Sequence, residues 1–302
     1  NESIYDPTCG SGGMLVKCLD FLRQKGQPWQ GVKVFGQEIN ALTSSIARMN
    51  LYLNGVEDFS IVNADTLEKP SFVDGSRLRK FDIVLANPPY AIKQWNRDKF
   101  MNDKWGRNFL GTPPQSKADY AFIQHIIASM DNQTGRCAIL LPHGILFRKE
   151  EKEMRENLVK LDCLEAVIAL GHNLFYNSAM ISCVLVCRVN KDEKHKDKVI
   201  FIDAEQDVTR KNSQSYLDDS QINKILNAYN DFEDIEGFAK VVTNKDILKS
   251  DSVLSISYYV EGIEEPEVDF EESYTSWQES SMLFNKEIYS LSKLINNDAK
   301  NL

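Results

Sequence analysis

Short apolar runs separated by amphipathic stretches dominate the first two-thirds of the chain. The runs are Ser3–Tyr5, Val32–Gln37, Phe59–Asn63, Asp82–Ala86, Arg136–Leu141, Leu164–Ala169 and Ile181–Arg188. Helical patterns at Gly13–Arg23 and Ala41–Leu53 lie between the first three. Phe122, Ile123, Ile126 and Ile127 form a stripe that places another helix before the run containing Cys137. Strands alternating with helices are built into a parallel sheet covered on both faces. The last two runs are joined by GHNLFYNSAM, too short for a crossover helix, so they pair antiparallel. The expected fold class is therefore α/β: a mainly parallel, doubly wound sheet with one antiparallel strand near its edge.

Beyond Val189 the pattern changes. A charged turn, NKDEKHKDK, leads to a strand at Val199–Asp203 and a helix at Ser220–Tyr229. The run EGIEEPEVDFEE, 261–272, carries seven acidic residues in twelve, which suits a solvated linker or a docking surface for a basic partner. Leu283, Ile288, Leu291 and Leu294 then recur at helical spacing within Ser273–Asn296. The expected division is a catalytic domain over 1–203 and a mainly helical, partner-docking region over 204–302.

At 302 residues, 42% hydrophobic and 26% charged, the composition is that of a soluble globular protein. No apolar run approaches the ~18 residues of a membrane span. The opening NESIYDPTCG has no basic segment followed by an apolar one, so it is no secretory signal; without an initiator Met the chain reads as part of something longer. Six cysteines without a C-x-x-C pair indicate reduced thiols and a cytoplasmic location. Cys183 and Cys187 with His172 are too loosely spaced for zinc, and no metal is expected. The net charge of −9 disfavours unaided DNA binding, which needs a basic face or a partner that supplies one.

Four features end consecutive predicted strands, where open α/β sheets bind ligands. The first is 6-DPTCGSGGML-15, whose glycines let backbone approach a ligand at a helix N-terminus. The second is Glu38, suited to the two hydroxyls of a ribose, and the third is Asp65, suited to an adenine amino group or to capping a helix. The fourth is Asn87-Pro88-Pro89-Tyr90. Two prolines stop the strand ladder and hold one amide, one free carbonyl and one ring at the sheet's edge. Further along, Ala91–Gly111 interleaves five basic residues with Trp95, Phe100, Trp105 and Phe109, a pattern for stacking and phosphate pairing on a flipped strand. Arg148, Lys149, Lys152 and Arg155 are candidates for further phosphate contacts. His125 and His143 read as locally satisfied helix and loop residues.

An N-P-P-Y turn after a hydrophobic strand, downstream of a D-P-x-x-G-x-G-G loop, resembles amino-methyltransferases that use S-adenosylmethionine. The segments 117-KADYAFIQHI-126, 140-LLPHGILFR-148 and 173-NLFYNSAMISCVLV-186 look like the modification subunit of type I restriction–modification systems. The similarity runs from about Ile4 to Arg188. It implies an adenine-N6 DNA methyltransferase with S-adenosylmethionine as cofactor. Asn87, Pro88, Pro89 and Tyr90 would be catalytic, and Phe175 would stack on the base with Tyr90. Asp6, Thr8, Gly10, Ser11, Gly12, Gly13, Glu38, Asp65 and Asn87 would hold the cofactor. The implied partners are DNA, a specificity subunit and a restriction subunit, with no membrane. Related subunits carry a helical domain before the glycine loop, which this sequence does not include. The alternatives are a methyltransferase of a protein glutamine amide or RNA base, and a catalytically inert scaffold.

Overall fold

Nine strands make one sheet: β1 Ser3–Asp6, β2 Lys33–Glu38, β3 Phe59–Asn63, β4 Ile83–Ala86, β5 Arg136–Pro142, β6 Leu164–Leu170, β7 Ser182–Arg188, β8 Lys198–Ala204 and β9 Ala239–Thr243. A computed structural model describes residues 2–174, 181–211, 214–261, 277, 278, 280–282 and 284. The strand order is β9-β8-β6-β7-β5-β4-β1-β2-β3. β1 pairs parallel with β2 and β4, and β4 with β5. β7 runs antiparallel to both β5 and β6, as the ten-residue GHNLFYNSAM link requires. It lies fourth from one edge rather than at it, because β8 and β9 extend the sheet past β6. β9 is a second antiparallel strand, pairing with β8. Its sequence, AKVVT, is too short to be read without knowing its neighbour.

The covering helices follow from their periodicity. α1, Gly13–Gln24, buries Leu15, Val16 and Leu19, and α2, Ala41–Leu53, buries Ser44, Ala47 and Leu51. Asn40 caps α2 by accepting the Thr43 N–H at 3.0 Å. α3, Asp119–Ser129, is buried at every position except Ala128. It lies in the layer between the sheet and the long 91–118 segment, so it is buried nearly all round, Asp119, Gln124, His125 and Ser129 included. α4, Lys152–Lys160, and α5, Asp219–Asp231, complete the longer helices, and α5 opens on a reciprocal cap between Asp218 and Gln221. Core side chains such as Tyr120, Ile123, Ile139 and Phe201 are fully buried, each contributing roughly 1.5–3 kcal/mol. All six cysteines are free thiols.

The chain divides into two units, Asn1–Glu261 and Gly262–Leu302. The sheet belongs to the first, which therefore continues past β8. In the second, the described residues are helical. The acidic run and the helical spacing read over Ser273–Asn296 fall mostly outside the described residues. No helix among the described residues is long and apolar enough to cross a membrane.

Candidate active site

A cleft of about 490 Å³ opens at the C-terminal ends of β1 to β4. Its size suits a cofactor or drug-sized ligand. Thr8, Glu38, Asp65, Asn87 and Tyr90 all line it, together with Pro88 and Pro89.

The glycine loop is pinned from below. Cys9 N–H donates to the Gln37 carbonyl at 3.0 Å, and Gly12 N–H to the Cys9 carbonyl at 2.8 Å. A Cβ on Gly36 would lie 2.5 Å from Ile61 Cδ1 and 2.9 Å from Cys9 Sγ, so any larger residue would have to push both side chains aside where the loop settles on β2. Gly10 and Gly12 take φ of 52° and 76°, and α1 begins at Gly13. Gly10, Ser11, Gly12 and Gly13 do not line the cleft, and the Ser11 carbonyl is held by Asn50 Nδ2 at 3.1 Å. A Cβ on Gly10 or Gly13 would meet nothing within 4 Å, so the space above the loop is open.

Glu38 ties this loop to α2. One carboxylate oxygen accepts Gly10 N–H at 3.0 Å and the other accepts Asn40 N–H at 2.8 Å. A carboxylate offers about four acceptor sites, so two remain for a diol. Asp6 is buried at the end of β1, where its carboxylate accepts Thr8 N–H at 2.9 Å. Burial pushes its pKa up to about 7, against that hydrogen bond and with help from the Glu38 charge. The Thr8 hydroxyl is buried at the cleft wall beside Asp6, with no well-formed hydrogen bond among the described residues.

Asp65 does two things at once. Its Oδ1 accepts Leu67 N–H at 2.8 Å and Glu68 N–H at 3.1 Å, the capping role its residue type favours. Its Oδ2 makes no hydrogen bond among the described residues, and the residue still faces the cleft. The buried Gln37 side chain fixes the Asp65 loop by donating to the Ala64 and Lys69 carbonyls at 3.2 and 3.0 Å. Thr66 Oγ1 closes the loop onto the Pro7 carbonyl at 2.5 Å.

Asn87 is exposed at the end of β4, and its amide makes no hydrogen bond within the described residues. Pro88 is buried, Pro89 exposed and Tyr90 half-buried. Burial raises the Tyr90 pKa above the ordinary phenol value. Phe175 lies outside the described residues. Trp95, one of the aromatics read as stacking candidates, lines the cleft; sequence reasoning missed Phe122, the aromatic of KADYAF, because nothing local marks it as facing a ligand rather than the core.

Several cations have other duties than the phosphate contacts expected of them. Arg107 is 1% exposed, and its guanidinium donates to the Asp103 carboxylate and to the Thr66 and Leu67 carbonyls at 2.7–3.0 Å. It braces the Asp65 loop from behind. Lys99 pairs with Glu68, and Arg97 Nε donates to the Pro113 carbonyl at 2.8 Å. Phe100 is core. Arg155 is buried, bonded to the Ser252 and Arg148 carbonyls at 2.9 and 2.7 Å. Arg148 pairs with Asp119 and Glu151. The two buried ones, Arg107 and Arg155, reach carbonyls far away in sequence, at Thr66, Leu67 and Ser252. His125 is satisfied by Tyr5 and Arg107, and burial drives its pKa well below the usual imidazole value. His143 departs from expectation: its Nε2 is buried without a partner among the described residues.

Residues 1–268 match the family model described as N-6 DNA Methylase. The Type I restriction enzyme MjaVII methylase subunit of Methanocaldococcus jannaschii is 34% identical over 284 residues, covering 88% of this chain and 47% of that protein. The MpnII methylase subunit of Mycoplasma pneumoniae is 34% identical over 276 residues, covering 88% and 50%. The crystal structure of a type I restriction-modification system methyltransferase subunit from Streptococcus thermophilus matches with a TM-score of 0.78 at 37% identity, covering 86% of this chain and 54% of that one. The chain spans about half the length of the curated relatives it matches.

Proposed function

The chain belongs to the N-6 DNA methylase family, and on that premise we propose that it transfers a methyl group from S-adenosylmethionine to adenine N6 in DNA, as the modification subunit of a type I restriction–modification complex. The observation that carries this reading is a single cleft bordered by Thr8, Glu38 and Asp65 and by an Asn87 amide that has no hydrogen-bond partner among the described residues.

The residues fit the cofactor. Glu38 keeps acceptor sites for the ribose hydroxyls, Asp65 Oδ2, without a partner among the described residues, is free for the adenine amino group, and the Thr8 hydroxyl is buried at the cleft wall. Asp6 and the turn from Gly10 to Gly13 lie outside the cleft lining, and the open space above Gly10 and Gly13 is proposed to take the rest of the cofactor. When bound, S-adenosylmethionine supplies a methyl carbon made electrophilic by its sulfonium.

An adenine amino nitrogen is a poor nucleophile because its lone pair is delocalised into the ring. Asn87 Oδ1 and the Pro88 carbonyl accept its two hydrogens. That draws the nitrogen toward a tetrahedral shape and stabilises the positive charge that develops on it. Proline supplies a carbonyl with no competing N–H, and the double proline keeps both acceptors aimed. Tyr90 stacks on the base, which must leave the duplex to be reached, and Phe175 is proposed as a second stacking partner. The surplus proton leaves after attack, so no strong general base is needed and catalysis rests on positioning and electrostatics.

The −9 charge accords with a division of labour in which a specificity subunit supplies most phosphate contacts and a restriction subunit completes the complex. We assign the methyltransferase chemistry to 1–203 and partner docking to 204–302, in a cytoplasmic protein. The test is transfer of labelled methyl groups by the full-length subunit with its partner subunits, offered duplex DNA, RNA and protein acceptors in parallel. Label recovered as N6-methyladenine in duplex DNA supports the reading. Label found only on protein or RNA overturns it.

A further inference from the structure

The segments KADYAF and LPHGILFR meet behind the Asn87–Tyr90 turn, and the meeting ends on its backbone. Ala91, the residue after Tyr90, has a φ of 51°, a left-handed conformation that residues with a Cβ seldom adopt. Its N–H donates to Asp119 Oδ1 at 2.9 Å. Asp119 is the first residue of α3 and 1% exposed. Its Oδ2 accepts Arg148 Nη1 at 2.7 Å, and the same nitrogen reaches Glu151 Oε1 at 3.4 Å. Gly144 makes room for the guanidinium, since a Cβ there would lie 2.6 Å from Arg148 Nε. Beside Asp119, the Tyr120 hydroxyl donates to the Ile145 carbonyl at 3.3 Å, joining the two segments a second time.

Stability alone does not account for this arrangement. A buried ion pair is often no better than apolar residues of the same volume, because desolvation offsets the attraction. A strained backbone residue, by contrast, persists only where its surroundings over-determine it. Only an acceptor at 119 answers the Ala91 N–H, and the Arg148 cation holds that acceptor in place.

We infer that Asp119 is a positioning residue for methyl transfer: by holding the Ala91 amide it aims the Asn87 side chain and the Pro88 carbonyl, while Arg148, admitted by Gly144, locks its carboxylate. The inference rests on the reading of the cleft proposed above and goes beyond it, because Asp119 touches neither base nor cofactor.

The experiment compares the full-length subunit in its complex with Asp119→Ala, Asp119→Asn and Gly144→Ala. Asp119→Asn keeps an acceptor for the Ala91 N–H; Gly144→Ala leaves Asp119 intact but displaces the flexible end of Arg148. Asp119→Ala is expected to lower kcat roughly 100-fold while the dissociation constant for S-adenosylmethionine moves less than about threefold. Asp119→Asn recovers kcat to within roughly tenfold of the parent, and Gly144→Ala falls between them. Deuterium exchange at the Tyr90–Lys93 amides, which needs no activity, rises about tenfold in Asp119→Ala and stays near parent in Asp119→Asn. Unchanged exchange there in Asp119→Ala overturns the inference, as does an Asp119→Asn variant as impaired as Asp119→Ala. Should Asp119→Ala fail to fold, unchanged exchange and kcat in Gly144→Ala overturn it instead. Raised exchange in Asp119→Ala, measured against a parent complex that methylates no DNA, would leave the hold of Asp119 on the turn standing and defeat the proposed function, so the two failures are distinct.

Discussion

Two buried ionic networks flank the sheet, one behind the Asn87–Tyr90 turn and one at the far end of β6, and they are satisfied to different degrees. At the far one, Glu165 accepts from His195 Nδ1 at 2.8 Å, from Arg188 Nε at 3.2 Å and from the Tyr229 hydroxyl. Burial pushes the Glu165 pKa up, but the bonds from Tyr229 and His195, with Arg188, outweigh it and leave the carboxyl below its ordinary value. Near the cleft, Glu151 and Asp119 share one guanidinium, and Glu151 sits at 3.4 Å from it. Burial pushes Glu151 up to about 7, and Arg148 only partly offsets this. Three donors keep a buried carboxylate ionised; half an arginine leaves it titrating near neutrality. The better satisfied network touches nothing in the cleft, and the poorer one ends on the backbone just after the Asn87–Tyr90 turn.

The sharpest break of that contrast is Glu165→Ala. It strands Arg188 and His195 beside a buried gap and is expected to cost roughly 4 kcal/mol of stability, measured by urea unfolding. Methyl transfer per folded molecule and cofactor affinity should stay at parent level.

Glu38→Ala should do the reverse. Losing the Gly10 and Asn40 tethers and the proposed diol acceptor is expected to weaken S-adenosylmethionine binding by roughly ten- to a hundredfold by calorimetry, with a much smaller stability change.

The two networks also differ in the sign of their pH dependence. Glu151 and Asp6 have folded values of about 7 against ordinary values of 4.5 and 3.8. The unfolded chain releases those protons first, so the stability they provide is complete below the ordinary values and is lost as pH rises to 7. Glu165 acts oppositely, since its stability is present above its ordinary value and lost on acidification. Melting temperature should therefore fall between pH 5 and 7.5 and level off above, with Glu151→Gln and Asp6→Asn each flattening the fall. The smallest effect belongs to Lys99→Ala, which removes an exposed pair with Glu68 and should change stability by less than about 0.5 kcal/mol in the same unfolding assay.

Reading the chain residue by residue carried far for the fold and part of the way for the site. Strand and helix positions agree with the apolar periodicity to within a residue or two, as at Gly13–Gln24 and Ala41–Leu53, because period is local information. The antiparallel β7 followed from the length of one link. The cleft brings together Thr8, Glu38, Asp65 and Asn87, each at the end of a strand that the pattern had already ordered. The cations were not legible. Arg107 bonds to residues 40 and 41 positions away and Arg155 to one 97 away, so their neutralisation depends on which strands become neighbours.

Sequence by itself settled the order of strands and helices, the parallel sheet and the stiff Asn87–Tyr90 turn, since apolar spacing and the proline ring act within a few residues. Tertiary structure decided which charges remain free and what holds that turn: Arg107 disappeared behind the Asp65 loop, and Asp119 came to rest on Ala91. A charge is read from one residue, but its partner is chosen by the packing of elements far apart along the chain.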